Sequence, residues 1–144
     1  MAAAKVFVLF NGFSELNESE TIMRANGTCT LVQSKGLNII VDTMTPWDKE
    51  KLLKILLDKH NLSPEAISHV VCTHGHSDHV GNNNLFTNAL HVFGQSVSKG
   101  IDYDLTAFKD GKFVINDEVE VFATPGHTLD SISVKVISDQ GTVS

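Results

Sequence analysis

The stretch CTHGHSDHVGN, Cys72 to Asn82, places His74, His76, Asp78 and His79 within six consecutive positions. The whole chain has 144 residues and 7 histidines, so three of them fall in one short run. The run follows SHVVCT (68–73), which reads as a buried strand. If the backbone stays extended beyond that strand, the side chains at 74 and 76 point the same way and can pinch one ion. Asp78 and His79 lie one turn further on and can face a second ion beside it. Imidazole nitrogen and carboxylate oxygen together suit zinc, and they also accept manganese or iron. A zinc ion takes about four ligands, and a catalytic one leaves a position for water. His74 and His76 therefore need a third protein ligand. His127, in FATPGHTLDS, is the candidate, because a tight Pro-Gly loop between two strands can hold a side chain rigidly. A single histidine in a polar loop usually does no chemistry; three with an aspartate at this spacing make a far more specific signal. An ion held this way ionises water near neutral pH, so the cluster names hydrolysis and leaves the substrate open.

The elements around the cluster must position it. Lys5–Phe10 reads as a strand and 11–19 (NGFSELNES) as a polar, acidic loop on a solvated surface. Thr21–Ala25 and Thr28–Ser34 are β-leaning runs joined by Asn26-Gly27, a hairpin signal. Leu37–Asp42 is a buried-type strand. Thr45 suits a helix N-cap, with Pro46 at the first position and Asp48 in the first turn. Leu52, Leu53, Ile55, Leu56 and Leu57 then form a helical apolar stripe that ends near Asn61. Ser63-Pro64-Glu65 starts a second short helix. Ala89–Phe93 is a strand, 94–109 has no clear assignment, and Lys112–Ile115 and Glu118–Ala123 flank an Asn116-Asp117 turn. After the loop TPGHT, Ile132–Ile137 is a last strand. The fold class is α/β, with mostly antiparallel pairs and a helix inserted between sheets.

Composition bounds the rest. The chain is 42% hydrophobic and 19% charged, which suits one globular domain spanning residues 1–144. Net charge is -6, with 11 basic and 17 acidic residues, so no basic footprint for a polyanion is present. Val6–Phe10 is too short for a membrane span. Cys29 and Cys72 are too few for a disulfide framework and read as buried free thiols, which implies a soluble, intracellular protein.

THGHSDHVGN with TPGHT, preceded by IIVDT, resembles the metallo-β-lactamase superfamily. The resemblance implies an αββα sandwich with a metal site at one edge between the sheets. His74, His76 and His127 would hold the first zinc, and Asp78 and His79 the second. Asp78 would also orient the nucleophile. Asp42 matches an aspartate that supports the metal loop by hydrogen bonds. Within the superfamily, VFVLFNGFSE, GTCTLVQ and IIVDTMTPWDKEKLLKILL look most like a glyoxalase II-like branch. That likeness implies an endoribonuclease acting at the 3′ end of histone pre-mRNA, homodimeric, in cytoplasm and nucleus. A thioesterase acting on a small acyl substrate is the alternative, and a non-catalytic zinc-binding module a third reading.

The family pattern also has an aspartate bridging two metals and a last histidine. Asp130 is too close to His127 to match, Asp139 lies in a turn, and no histidine follows. The resemblance therefore implies a sandwich incomplete at the C-terminus, holding one or two zinc ions. Other residues draw weaker expectations. His60 suits a helix C-terminus; His69 and His91 read as packed or solvated. Trp47 reads as a packing anchor, Tyr103 and Lys99 as lining the mouth of the cleft, and Asn82–Asn84 as the start of a short helix.

Overall fold

A computed structural model describes residues 3–126, 128, 129, 131–138 and 141–143. The strands, in chain order, are β1 (Lys5–Phe10), β2 (Phe13–Leu16), β3 (Met23–Asn26), β4 (Cys29–Ser34), β5 (Leu37–Val41), β6 (His69–Cys72), β7 (Leu90–Phe93), β8 (Ser96–Lys99), β9 (Asp102–Tyr103), β10 (Lys112–Val114), β11 (Val119–Ala123), β12 (Ile132–Ser138) and β13 (Gly141–Val143). The helices are α1 (Lys49–His60) and the short α2 (Ser77–Val80). A seven-stranded sheet runs in the order β1-β4-β5-β6-β7-β8-β9, a four-stranded sheet in the order β10-β11-β12-β13, and β2 pairs with β3 as a separate ribbon.

Strand alternation builds two cores from one sheet. Leu31, Ile40, Val70 and Cys72 face one way, toward Leu52 and Leu56 of α1. Their neighbours Val32, Ile39 and Val71 face the other way, toward Val119, Val121, Ile132 and Val136 of the smaller sheet. Runs such as NIIV and HVVC are apolar at both parities because both faces are covered. The layers are helix, sheet and sheet, an α/β sandwich. An apolar groove of about 290 Å³ runs between the sheets, lined by Val6, Val8, Val134 and Val136 among others and by none of the histidines.

Helix α1 starts and stops as its sequence dictates. The backbone N–H and hydroxyl of Thr45 both donate to Asp48 Oδ2, at 3.2 and 2.7 Å. Pro46–Asp48 form a 3-10 turn that leads into the helix. Asn61 ends it in the left-handed region at φ 54°, a conformation that asparagine tolerates. His60 sits in the last turn with its ring 4.8 Å from that of Phe7.

Four expectations need correction. The polar segment after Asn11 is not all loop: Phe13–Leu16 is a strand paired with Met23–Asn26. Asn26-Gly27 consequently closes no hairpin, and the chain crosses there from the ribbon to β4, which pairs with β1 and β5. The pairs β5–β6 and β6–β7 are parallel, each joined by the crossover connection that parallel neighbours need; α1 covers an outer face of the large sheet. Trp47 anchors nothing, being 89% exposed, because the Thr45–Asp48 bonds already fix its turn. Asn83–Leu85 form the expected short helix, of 3-10 type, with Asn82 at its N-cap. Both cysteines are buried free thiols. Among the described residues no helix is long and apolar enough to cross a membrane.

Candidate metal centre

The C-terminal ends of β5 and β6 carry the site. Asp42 follows β5 and is buried, at φ 62°. Its N–H donates to Val71 O at 2.8 Å, which ties it to β6. Its carboxylate then collects three donors: the N–H of Thr73 at 2.8 Å, the hydroxyl of Thr73 at 2.9 Å and Nδ1 of His79 at 2.8 Å. A carboxylate only accepts, so Nδ1 of His79 carries the proton and Nε2 holds the lone pair. That Nε2 stands 3.6 Å from Oδ2 of Asp78.

A second chain of bonds orients His74. The Thr73 hydroxyl has one proton, which goes to Asp42. It therefore accepts from Nδ1 of His74, 3.1 Å away, and leaves Nε2 of His74 as the basic nitrogen. The ring of His74 lies 4.1 Å from that of His79 and 4.8 Å from that of His76, centre to centre. The structure thus brings His74, His76, Asp78 and His79 together. The hydrogen bond and charge of Asp42, with the charge of Asp78, raise the His79 imidazole above its ordinary value of 6.5 against the opposing effect of partial burial.

Sequence reasoning missed the frame that holds these side chains. Asn82, buried, donates its backbone N–H to Thr43 Oγ1 at 3.0 Å and its side-chain amide to Thr43 O and Thr45 O at 2.7 and 2.8 Å. Thr43 donates its hydroxyl to Asn83 Oδ1 at 2.7 Å. These bonds clasp the strained segment holding Asp42 (φ 62°) and Met44 (φ 63°) to the end of α2. Gly81 lets the two loops touch: a Cβ there would lie 2.4 Å from Met44 O, Thr45 C and Pro46 N. The run GNNN beside the histidines was the only signal for this frame.

The four side chains line one wall of a cleft of about 780 Å³. The ribbon β2–β3 and residues 27 and 28 form the opposite wall. Tyr103 and Lys99 are not at its mouth; they line a separate hollow of about 250 Å³ with Leu90 and Phe113, because β8 and β9 extend the far edge of the large sheet. His69 and His91 stay outside the site, with Nδ1 of His69 by Ser68 Oγ and Nε2 of His91 by Phe86 O, both at 2.9 Å. His127 lies outside the described residues, as do Asp130 and Asp139.

Among the described residues no three His, Cys, Asp or Glu side chains are arranged to hold one ion alone. The donor chemistry nonetheless fits a divalent cation. Two imidazoles have their Nδ1 occupied by Asp42 and Thr73, which commits their Nε2 lone pairs, and Asp78 faces one of them at 3.6 Å.

Comparison with known proteins agrees. A profile of the metallo-beta-lactamase superfamily matches residues 23–99. Metallo-beta-lactamase domain-containing protein 1 of Xenopus laevis is 39% identical over 134 residues, covering 91% of this chain and 56% of its own length. Hydroxyacylglutathione hydrolase of Citrobacter koseri is 37% identical over 106 residues, covering 71% and 39%. The chain thus spans about half the length of these relatives, or less. A solved metallo-beta-lactamase-type structure from Thermotoga maritima superposes with a TM-score of 0.72 at 19% identity, over 97% of this chain and 76% of that one. With the profile spanning the histidine run and the layers matching the solved fold, the chain belongs to the metallo-beta-lactamase superfamily.

Proposed function

We propose that this chain carries the core of a zinc-dependent hydrolase whose substrate is the phosphodiester backbone of RNA. The carrying observation is the relay from Asp42 to Nδ1 of His79, which directs Nε2 of His79 toward Asp78. His74 and His76 would hold one ion, with His127 a further candidate ligand, and Asp78 and His79 a second. When bound, such an ion polarises the scissile ester and lowers the pKa of water. Asp78 accepts a hydrogen bond from the attacking water and fixes its direction. Asp42 and Thr73 keep the imidazoles in the tautomer that the site needs.

The endoribonuclease reading, in histone pre-mRNA 3′-end processing by a homodimer of cytoplasm and nucleus, is supported by the sequence resemblance of the segments around the site. Its test is cleavage of a histone pre-mRNA 3′ fragment. Zinc-dependent cutting that His76→Ala abolishes is expected; cutting that survives zinc removal or that substitution overturns it. A second reading, hydrolysis of a small acyl thioester, is favoured by one observation: no lysine or arginine lines the cleft among the described residues. Rapid turnover of S-lactoylglutathione with no RNA cleavage would select it.

A further inference from the structure

The large sheet has seven strands and the small one four, so one outruns the other. Phe113 lies in β10, the edge strand of the small sheet. The outermost strands of the large sheet, β8 and β9, meet it there across the hollow of about 250 Å³. The register says which side chains share that face. Val71, Val92 and Val97 form one cross-strand row in the core between the sheets. Positions two residues along belong to the same face, so the next row is His69, Leu90, Lys99 and Asp102. Asp104 joins from the other side, its N–H donating to Val97 O at 2.8 Å.

The floor of the hollow is apolar, built by Leu90, Val97 and Phe113, and Lys99, Asp102 and Asp104 stand around it. Lys99 and Asp102 are direct partners in the ladder, and opposite charges so placed ordinarily close on each other. Here neither makes an ion pair or a side-chain hydrogen bond among the described residues. The charge of Lys99 is felt instead along the row, at His69: burial first and Lys99 second hold that imidazole below its ordinary value of 6.5. Asp104 is fixed in place by Thr106, whose N–H and hydroxyl donate to its Oδ1 at 2.9 and 2.6 Å. Both signs of charge thus surround one apolar floor without neutralising each other. Ligand sites have this composition, an apolar lining with a few polar groups that fix orientation.

We propose that this hollow is a binding site for a free α-amino acid with an aliphatic side chain. Lys99 takes the carboxylate, Asp102 and Asp104 take the ammonium, and the side chain lies on Leu90, Val97 and Phe113. An α-amino acid carries both charges and its side chain on one carbon, and cross-strand pairing brings the Cβ atoms of Lys99 and Asp102 to about 5 Å. A purely anionic ligand would meet two carboxylates, and a purely cationic one the ammonium of Lys99. The volume falls below the range of about 300–1,000 Å³ that drug-sized ligands occupy, which suits so small a molecule. The hollow shares no lining residue with the histidine cleft, and the site does not depend on the hydrolytic reading.

Amide NMR shifts of the whole chain, without metal, read the binding residue by residue. L-Leucine should give saturable shifts at Val97, Lys99 and Phe113, and none from Gly75 to Gly81. Isoamylamine is leucine without its carboxylate, and 4-methylpentanoate is leucine without its ammonium. Each should bind about two- to fivefold more weakly, the range for an exposed charge contact. Lys99→Gln should bring leucine down to the level of isoamylamine while isoamylamine itself binds no more weakly than before. Asp102→Asn should bring leucine down toward 4-methylpentanoate. Lys109→Gln, outside the lining, should change nothing. All three positions are exposed, so folding does not hang on them. No saturable shift at the hollow, equal affinity for the three compounds, or equal losses in Lys99→Gln and Lys109→Gln overturns the site.

Discussion

Gly27 lies against His79 so closely that a single methyl group between them would stand 2.9 Å from both Nδ1 and Cε1 of the ring, and 2.6 Å from Asp78 O. The ribbon and the histidine loop are thus one mechanical unit, joined where glycine leaves room. Gly27→Ala must push His79 off its bond to Asp42 or lift the ribbon. We expect a stability loss of about 1–3 kcal/mol from overpacking, and a zinc affinity at least about tenfold lower, because the imidazole loses its orienting partner. Denaturant titration and zinc calorimetry read the two effects separately. Unchanged zinc affinity would show that the contact does not set the position of His79.

Asp42 concentrates more of the site than any ligand does. It accepts from Thr73 twice and from His79 once, all within 2.9 Å. Asp42→Ala leaves these donors without an acceptor and puts alanine at φ 62°. Each unsatisfied buried donor costs about 1–3 kcal/mol, and the left-handed conformation adds about 1 kcal/mol. The expected result is a chain folded marginally or not at all. Asp42→Asn is the informative variant, because asparagine tolerates this conformation and keeps the shape. It should fold, and its zinc affinity should fall by about 10–100-fold as the carboxylate's pull on Nδ1 of His79 is lost. Wild-type affinity in Asp42→Asn would refute the relay.

The histidine cluster was legible because metal chemistry dictates residue type and spacing together, and α1 because its cap, stripe and stop all agree. The ribbon was not legible. FSEL is exposed on both faces, so it has no burial period for a pattern to show. Asn26-Gly27 misled for a related reason. The glycine there serves a close approach to His79, and the turn signal fell instead to Asn17, whose Oδ1 accepts from Thr21 N–H and Ile22 N–H at 2.9 and 3.1 Å. Parallel pairing of β5, β6 and β7 left only the hint of doubly apolar runs. Asn82 and Gly81 act through contacts between segments far apart in the chain, Asn82 with Thr43 and Gly81 with Met44 to Pro46, and no local pattern encodes such contacts.

Gly81 gives a sharper steric test than Gly27. It has ordinary helical φ, −61°, so alanine there carries no conformational penalty, and any effect comes from collision alone. Its Cβ would lie 2.4 Å from three backbone atoms, none of which can rotate away. Gly81→Ala should cost about 3 kcal/mol or more. Asn82→Ala, which removes the clasp without a collision, should cost about 1–3 kcal/mol for the carbonyls it strands. Thermal unfolding of both variants checks the order. A Gly81→Ala protein as stable as the parent would mean that the two loops can part freely.

The buried thiols supply the pH dependence. Burial, followed by the charge of Asp42, pushes Cys72 up to about 12, against a small opposing effect of its bond to Asn83. Burial pushes Cys29 higher still, with Asp42, Cys72 and Asp48 adding to it. Both groups have folded values above the ordinary 9.0. Their protonated forms are therefore favoured in the native state, which keeps its full stability below about pH 9 and loses it as pH rises from there toward 12. The slope reaches about 1.4 kcal/mol per pH unit for each thiol. Chemical denaturation at pH 7 to 10.5 should show that decline, and the double variant Cys29→Ala, Cys72→Ala should flatten it. At pH 8 neither thiol of the folded chain should react with iodoacetamide, and both should react once it is unfolded. Rapid labelling of native Cys72 would mean that the floor of the site opens to solvent, and the strained segment at Asp42 would be the place to look for that opening.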